Sequence, residues 1–554
     1  MAAESLDTGA VQRWDTGAVQ RLDTQVVVVG AGPVGLMLAG ELRIGGADVV
    51  VVDRRGAPTA ESRASTLHAR TMEILDCRGL LAALGTPPDE PRGHFGGIPL
   101  DLTLPGPYPG QWKVPQTRTE QLLQERARTL GADLRREHEL RAVSVTADEV
   151  VTEVAGPRGP VRIRSRYVVG CDGEDSTLRR LTGAEFPGRD ARRELLRADV
   201  AGIGIRDRRF ERLPDGLAIA ARRGDGVTRV MVHAFGSGAR PRAEGPGFDE
   251  VVDAWKRVTG EDISHGTPLW VNAFGDASRQ LTHYRNGRVL YAGDAAHQQM
   301  PIGGQALNLG LQDAVNLGWK LAATVRGGAP EGLLDSYHDE RHAVGRRVLG
   351  NIGAQAALLL GGPEVEPLRE VFADLIAHEQ TRTELAGMIS GLDIRYDVGD
   401  GRTDGEAHGE AHGGADPETG RHPLLGLRLP LVPLTTAQQA CSTAELLRTG
   451  RGLLLDLTGT EGGDARLRSL AAPWAGRVDT VAAEPVLQGP LRGVEAVLVR
   501  PDGHIVCAGA ADAPFPGALR RWFGAPDRRT HHQTEDGDRH GHGVAEGYGD
   551  TEGR

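Results

Sequence analysis

The stretch Gln25-VVVVGAGPVGLMLAGELRIGGADVVVV-Asp53 decides the fold. Its two valine runs are β-branched and uninterrupted, the pattern of parallel strands buried on both faces. Residues 33–44 between them read as a helix, so the whole is one βαβ unit of about 30 residues. Gly30, Gly32 and Gly35 stand at its turn in G-x-G-x-x-G spacing, and Pro33 opens the helix. Gly30 permits the tight turn, Gly32 lets the backbone approach a pyrophosphate, and Gly35 allows close helix–strand packing. The unpaired N–H groups and the helix dipole then face the phosphates. Asp53 ends the second strand 18 residues after Gly35, where a carboxylate can accept both ribose hydroxyls, and Arg54 follows it. A dinucleotide site is expected here, and this motif alone does not separate NAD from FAD.

A distant element separates them. In Arg288-VLYAGDAAHQQMPIGGQALNLGLQDAVNLGWKL-Ala322 a strand ends at Gly293-Asp294, a Pro/Gly loop follows, and a helix begins between Gln305 and Asn308. A nicotinamide has no need of this element. A flavin is long and must be held at both ends. Asp294 can bond the ribityl chain, and Pro301, Gly303 and Gly304 let backbone approach the isoalloxazine. The helix start at Ala306, Leu307 and Asn308 points its dipole at the ring's N1–C2=O edge, favouring the anionic reduced form. A third piece, Val168-VGCDGEDSTLR-Arg180, ends a strand at Cys171 and places Asp172 and Gly173 where a second strand end meets the dinucleotide.

Outward from these motifs, 554 residues predict two or three domains. The 39% hydrophobic and 25% charged content suits a globular enzyme. A net charge of −11 argues against nucleic-acid binding, which needs a basic face. No apolar run is long enough to span a membrane, and the N-terminus lacks a signal-peptide core, so a cytoplasmic protein is expected. The four widely spaced cysteines form no C-x-x-C, which fits a reducing compartment and gives neither a disulfide framework nor a zinc site.

Residues 1–23 contain a duplication, Asp7–Arg13 repeated as Asp15–Arg21, and read as a disordered arm. Helices are expected over 62–85, 117–131 and 305–390, with irregular chain over 95–115 and a β-meander over 140–170. Residues 191–279 alternate in strand-like pieces and are the candidate substrate-facing sheet. Residues 398–422 are polar and Gly-rich, a linker. Residues 423–524 return to a globular pattern, with strands at 452–457, 478–483, 496–500 and 504–509. Residues 525–554 read as a disordered tail. Histidines in the linker (His408, His412) and in the tail fix no metal geometry.

The three motifs, in this order and spacing, resemble the class A FAD-dependent aromatic hydroxylases, in particular the actinobacterial hydroxylases of anthracycline-, angucycline- and tetracycline-type polyketides. The resemblance implies an α/β fold: a Rossmann-like FAD-binding domain of GR2 type (24–190 and 280–397), an inserted β-sheet substrate domain (191–279), and a thioredoxin-like C-terminal α/β domain (423–524). It implies that Gly30, Gly32, Gly35 and Asp53 hold FAD, that Arg63 lies near its phosphates, and that Gln116 contacts the ribityl side with help from Arg118. By the same resemblance Asp172 and Gly173 serve FAD and a transient NADPH or NADH, Gly293 and Asp294 bind the ribityl chain, and Pro301 sits beside the reactive edge.

The activity it implies is NAD(P)H-consuming hydroxylation of an aromatic polyketide, a polycyclic phenol or quinone, with O2 through a flavin C4a-hydroperoxide. Baeyer–Villiger or other ring-cleaving oxygenation by the same flavin is the alternative, and a catalytically inactive FAD-binding protein is an alternative of another class. A monomer or homodimer is expected.

Two departures from the family pattern stand out. Ala306 replaces a frequent glycine, putting a methyl where the flavin moves. Gln298, Gln299 and Met300 follow His297 on the expected substrate side. Cys441 stands alone in the C-terminal domain and reads as non-redox. His233, His283, Tyr291 and His297 are candidates for a general base, but none is assigned as catalytic.

Overall fold

The computed structural model describes residues 19–58, 65–242, 245–399, 421–460 and 463–527. The expected core unit is present: strands Val26–Val29 and Val49–Asp53 flank the helix Pro33–Ile44. They sit in a six-stranded sheet in the order Arg285–Asn286, Val289–Tyr291, Tyr167–Gly170, Val26–Val29, Val49–Asp53, Asp133–Arg136. All pairings are parallel except at the Arg285–Asn286 edge. The C-terminal ends of the three central strands, at Val29, Gly170 and Tyr291, therefore meet at one edge, where open α/β sheets place their ligands. The long helix Gln305–Val325 packs on Pro33–Ile44. Gly318 allows this approach, since a Cβ there would lie 2.3 Å from the Glu41 side chain.

Three local expectations change. Residues 20–23, expected in the arm, form a strand paired in parallel with Gly159–Ser165 at the edge of the predicted meander. Residues 1–18, with the rest of the arm, lie outside the described residues, as do Arg63, residues 400–420 of the linker and the tail from 528. The segment expected to be helical from 62 begins instead with a strand, Thr66–His68, paired with Gln111–Lys113, before the helix Ala69–Asp76. Irregular chain was expected over 95–115, yet Ile98–Asp101 pairs with Arg92–Phe95 in a hairpin, and Gln111–Lys113 is the strand just mentioned.

The inserted sheet runs in the order Arg208–Leu213, Gly216–Arg222, Val227–Ala234, Glu194–Ala201, Thr267–Gly275. Within it the sequence reading missed a helix, Phe248–Thr259, whose Val251, Trp255 and Val258 recur at helical spacing. That stripe covers one face of the sheet, packing on Ala198, Val200, Val230 and Val232. The other face turns to the FAD-binding domain, where Leu195 and Leu217 pack with Met300, Ile302 and Ile352.

The C-terminal unit is a four-stranded sheet, Val478–Ala482, Gly452–Asp456, Ala496–Val499, Ile505–Gly509, with one parallel and two antiparallel pairs and a closing helix Phe515–Phe523. This β-α-β-β-β-α order is thioredoxin-like. Its turn Pro501-Asp502-Gly503 enters the FAD-binding domain with a buried ion network. Arg500 reaches Glu340 at 2.6 Å and Asp502, while Glu340 also holds Lys320 at 2.8 Å. Arg78 ties the same turn to Glu41 by donating to the Pro501 carbonyl. Asp527, expected in the tail, is anchored too, its N–H donating to the Pro473 carbonyl and its carboxylate pairing with Arg477. Cys441 lies on the strand Ala440–Ser442, and all four cysteines are free. Burial and then Glu445 raise its pKa above that of an ordinary thiol, which disfavours the reactive thiolate.

Candidate active site

At the carboxyl edge of the central strands a cavity of about 300 Å³ runs from Gly30 and Gly32 past Asp172 and Gly173 to Pro301 and Phe274. Its first end is shaped by backbone. Gly30 has φ +105, and a Cβ there would lie 2.3 Å from the Cys171 carbonyl oxygen. Gly35 lies beneath it, where a Cβ would meet the Gly30 oxygen at 2.0 Å, so it serves packing and does not line the cavity. Gly32 caps the helix with ordinary extended φ and ψ, and a Cβ would meet nothing within 4 Å. Its glycine therefore keeps the space above the helix N-terminus open, as a pyrophosphate requires. Gly173 is equally open, at φ +83.

Asp53 is fixed before any ligand arrives. One carboxylate oxygen accepts from the Ala31 N–H at 2.7 Å and the other from the Arg55 N–H at 2.8 Å. The remaining lone pairs face the cavity, beside Arg54 and Gln116. Next to them stand His138, whose N–H donates to the Asp53 carbonyl at 2.9 Å, Glu139 and Leu140, for which the sequence carries no signal. Glu137, just before, is a non-glycine residue at φ +56, and this bend carries the next three residues onto the cavity wall. No pattern in the sequence marks such a bend.

Asp172 lines the middle of the cavity, and its carboxylate also accepts from the Ser176 hydroxyl at 2.6 Å and the Leu178 N–H at 3.1 Å. It thereby fixes the start of the helix Thr177–Thr182. Asp294, Gln299, Pro301, Ala306 and Leu307 line the far end with Phe274.

Several expected contacts are supports instead of walls. Gly293 donates its N–H to Asp313 at 3.1 Å, and a Cβ there would meet Val34 at 2.9 Å, so it is a packing position. Gly303 and Gly304 both lie in the left-handed region, φ +64 and +71. Their carbonyls are tied down, Gly303 to the His68 ring at 2.9 Å and Gly304 to the Asn308 amide at 2.8 Å. Asn308 is wholly engaged, since its side-chain oxygen also accepts from the His68 N–H and the Thr71 hydroxyl. It locks the loop and does not face the cavity. Among the substrate-side trio, Met300 is core and Gln298 pairs with Arg279 in a small sheet. Gln299 alone lines the cavity, and both its amide oxygen and nitrogen are buried without a protein partner.

The base candidates are occupied elsewhere. His297 is fully buried and bonded to Asp313 at 2.8 Å, which Arg341 holds in turn at 2.7 Å. Burial raises the Tyr291 pKa to about 12, and its hydroxyl bonds Thr182. His233 bonds the Glu194 carbonyl, and His283 lies against His338. None of the four lines the cavity.

An elongated cavity with glycines opened at a helix N-terminus, a ribose-side carboxylate and an unpaired buried amide at the far end fits FAD. Residues 23–351 match the FAD-binding-domain family, and residues 422–526 match the aromatic-ring hydroxylase C-terminal family. The chain belongs to the FAD-dependent aromatic-ring hydroxylases. It is a flavin-dependent monooxygenase. Among its relatives, the 12-dehydrotetracycline 5-monooxygenase/anhydrotetracycline 6-monooxygenase of Streptomyces rimosus is 42% identical over 531 residues, covering 90% of this chain and 99% of that one. The structure of CabE, an aromatic hydroxylase from angucycline biosynthesis, superposes with TM-score 0.83 at 49% identity, covering 91% of this hydroxylase and 100% of CabE. A dialkyldecalin synthase of Streptomyces rugosporus is 38% identical over 505 residues, covering 90% and 98%.

Proposed function

We propose that this hydroxylase uses NADPH or NADH and O2 to place a hydroxyl on a polycyclic aromatic polyketide. Bound FAD, once reduced, would supply the activated oxygen. The chain's own residues bind, orient and exclude water. Gly30, Gly32 and Pro33 would seat the pyrophosphate, Asp53 the ribose, and Asp172, Gln116 and Asp294 the middle of the cofactor. Pro301, Ala306 and Leu307 would border the ring. The observation that carries the reading is Gln299, whose unpaired buried amide borders the same cavity end as Phe274 and Pro301. An amide left so must meet a ligand offering both an acceptor and a donor, as a phenol beside a carbonyl does. The names of the relatives favour the same substrate class.

The purified protein should be yellow and hold FAD. Polycyclic phenols and quinones should stimulate its NADPH oxidation, and 18O2 should leave one labelled atom as a hydroxyl. Labelled lactone or ester would mean Baeyer–Villiger insertion. The synthase among the relatives favours a second reading, a ring-forming reaction with FAD bound, which predicts an isomeric product without label. A protein that takes up no FAD would end both. Gln299→Leu should raise the KM for such a phenol about tenfold, the loss of one hydrogen-bonded site, with FAD affinity unchanged.

A further inference from the structure

Both ends of the segment Gly293–His297 rest on one atom. The Asp313 carboxylate, on the helix Gln305–Val325, is fully buried. One of its oxygens accepts from the Gly293 N–H at 3.1 Å and from His297 Nε2 at 2.8 Å. The other accepts from Arg341 at 2.7 Å. Burial pushes the Asp313 carboxyl up, but Arg341 and His297 outweigh this and hold it below the ordinary range. An ionised carboxylate only accepts, so the proton of the His297 bond sits on Nε2.

Two cavity residues ride on this loop. Asp294 lies inside the clamped segment, and Gln299 stands two residues beyond it. The Gln299 amide makes no bond of its own to the protein, so the backbone that carries it sets its aim. Two side-chain anchors flank it: Met300, packed in the core, and His297, bonded to Asp313. Apolar packing tolerates small shifts, whereas a charge-assisted hydrogen bond fixes distance and direction. The chain at His297 is held from the other side as well. Gln280 pairs with His297 and Arg279 with Gln298 in a short antiparallel ladder, and the Leu281 N–H donates to the Ala296 carbonyl at 2.9 Å. The His297 ring itself is fully buried and does not line the cavity. A general base must reach the proton it takes, and this ring reaches core.

We infer that His297 is a positioning residue, which through its bond to Asp313 aims the Gln299 amide at the substrate in step with Asp294 at the cofactor. One carboxylate oxygen thereby sets the spacing between the substrate contact and the cofactor contact. The inference rests on the proposed phenol substrate and on the part given there to Gln299. Removing the His297 donor releases one end of the clamp and leaves the other, because Gly293 and Arg341 keep Asp313 paired. Substrate binding should then suffer while FAD binding does not.

The FAD-loaded enzyme and 1,2-dihydroxyanthraquinone, in which a hydroxyl stands beside a ring carbonyl, test this by dye titration. His297→Met keeps the side chain large and removes the donor. It should weaken dye binding about fivefold, with FAD affinity within about threefold of wild type. His297→Asn, too short to reach Asp313, should do the same. His297→Gln places an amide N–H near the Nε2 position and should recover most of the loss. Amide hydrogen exchange in His297→Met should speed over residues 296–300 and not over 289–293. Gln299→Leu alone should weaken the dye about tenfold, and adding His297→Met to it should cost less than about twofold more, since His297 acts through an amide already gone. Losses that multiply in the double variant overturn the inference and leave the substrate proposal standing. So does a His297→Met enzyme that binds dye normally but has lost turnover, the signature of a general base. A Gln299→Leu enzyme that binds dye normally overturns it too, while dye-stimulated NADPH oxidation still supports the substrate class. A wild-type enzyme that binds no polycyclic phenol, and that none stimulates, overturns both.

Discussion

The two ends of the cavity are built by different means. The dinucleotide end is made of backbone: an open glycine at a helix start, a glycine pressed against a carbonyl, and a carboxylate pinned by two N–H groups. Most of it comes from the ends of the central strands and the helix start between them, with Gln116 opening the helix Gln116–Thr129 and His138 to Leu140 following the edge strand Asp133–Arg136. The flavin end is made of side chains from a loop, a helix start and an inserted sheet, held from behind by buried polar bonds. On the proposed assignment, the first end would recognise a shape that every FAD shares.

The largest expected effect separates two glycines two residues apart in the same motif. Gly30→Ala forces a Cβ to 2.3 Å from a carbonyl at φ +105. It should cost roughly 3 kcal/mol or more and leave a protein that holds no FAD. Gly32→Ala meets nothing in the protein. Its FAD-free form should melt like wild type, while FAD affinity drops at least about tenfold, because the methyl occupies the place of a phosphate oxygen. Flavin absorbance and thermal unfolding read both. A Gly32→Ala protein with normal FAD affinity would break the dinucleotide assignment.

The flavin end depends on more distant structure. His297, in the loop that carries Gln299, bonds Asp313, and Asp313 bonds Arg341. Arg341 donates to the Tyr396 hydroxyl at 3.0 Å, and the Tyr396 ring lies 4.3 Å from His504 of the C-terminal unit. Beside it Arg500 meets Glu340. Arg500→Met should cost about 3–5 kcal/mol in denaturant unfolding, since it strands Glu340 and Asp502 in the interior. Burial pushes the Glu340 carboxyl up, but Arg500 and Lys320 outweigh this and bring it from 4.5 down to about 2. A carboxyl whose folded pKa is depressed contributes stability above its unfolded value and loses it as pH falls through the folded one. The melting-temperature gap between wild type and Glu340→Gln should therefore be full above pH 4.5 and shrink as pH falls toward 2. A gap independent of pH would show that Glu340 acts by packing alone.

This difference also explains what the sequence made legible. The βαβ unit, the two downstream strand ends and the four C-terminal strands were readable because period and turn chemistry are local. Gly30, Gly32, Asp53, Asp172, Pro301 and Gln299 line the cavity as their positions implied. Gly293, Gly303 and Asn308 were read as contacts because they sit in the right motif, but motif membership does not tell a wall from its support. His138 needed the bend at Glu137, and Phe274 needed the register of a strand far along the chain. The helix Phe248–Thr259 is legible in its Val251, Trp255, Val258 spacing, though it lies within a run of strand-like pieces.

The smallest expected effect tests the comparison most finely. Ala306 borders the cavity in the first turn of the helix Gln305–Val325. If the flavin end is fitted by side chains with room to adjust, Ala306→Gly removes one methyl from a wall that others still define. Stability should fall by at most about 1 kcal/mol, the helix cost of glycine. FAD affinity should change less than about threefold, and the rate of flavin reduction by NADPH should rise modestly as the ring gains space to move. A gain in FAD affinity of about tenfold would mean that the methyl was pressing on the ring. The flavin end would then be fitted by backbone as tightly as the dinucleotide end, and the contrast between the two would lie in their residues alone and not in how they grip the cofactor.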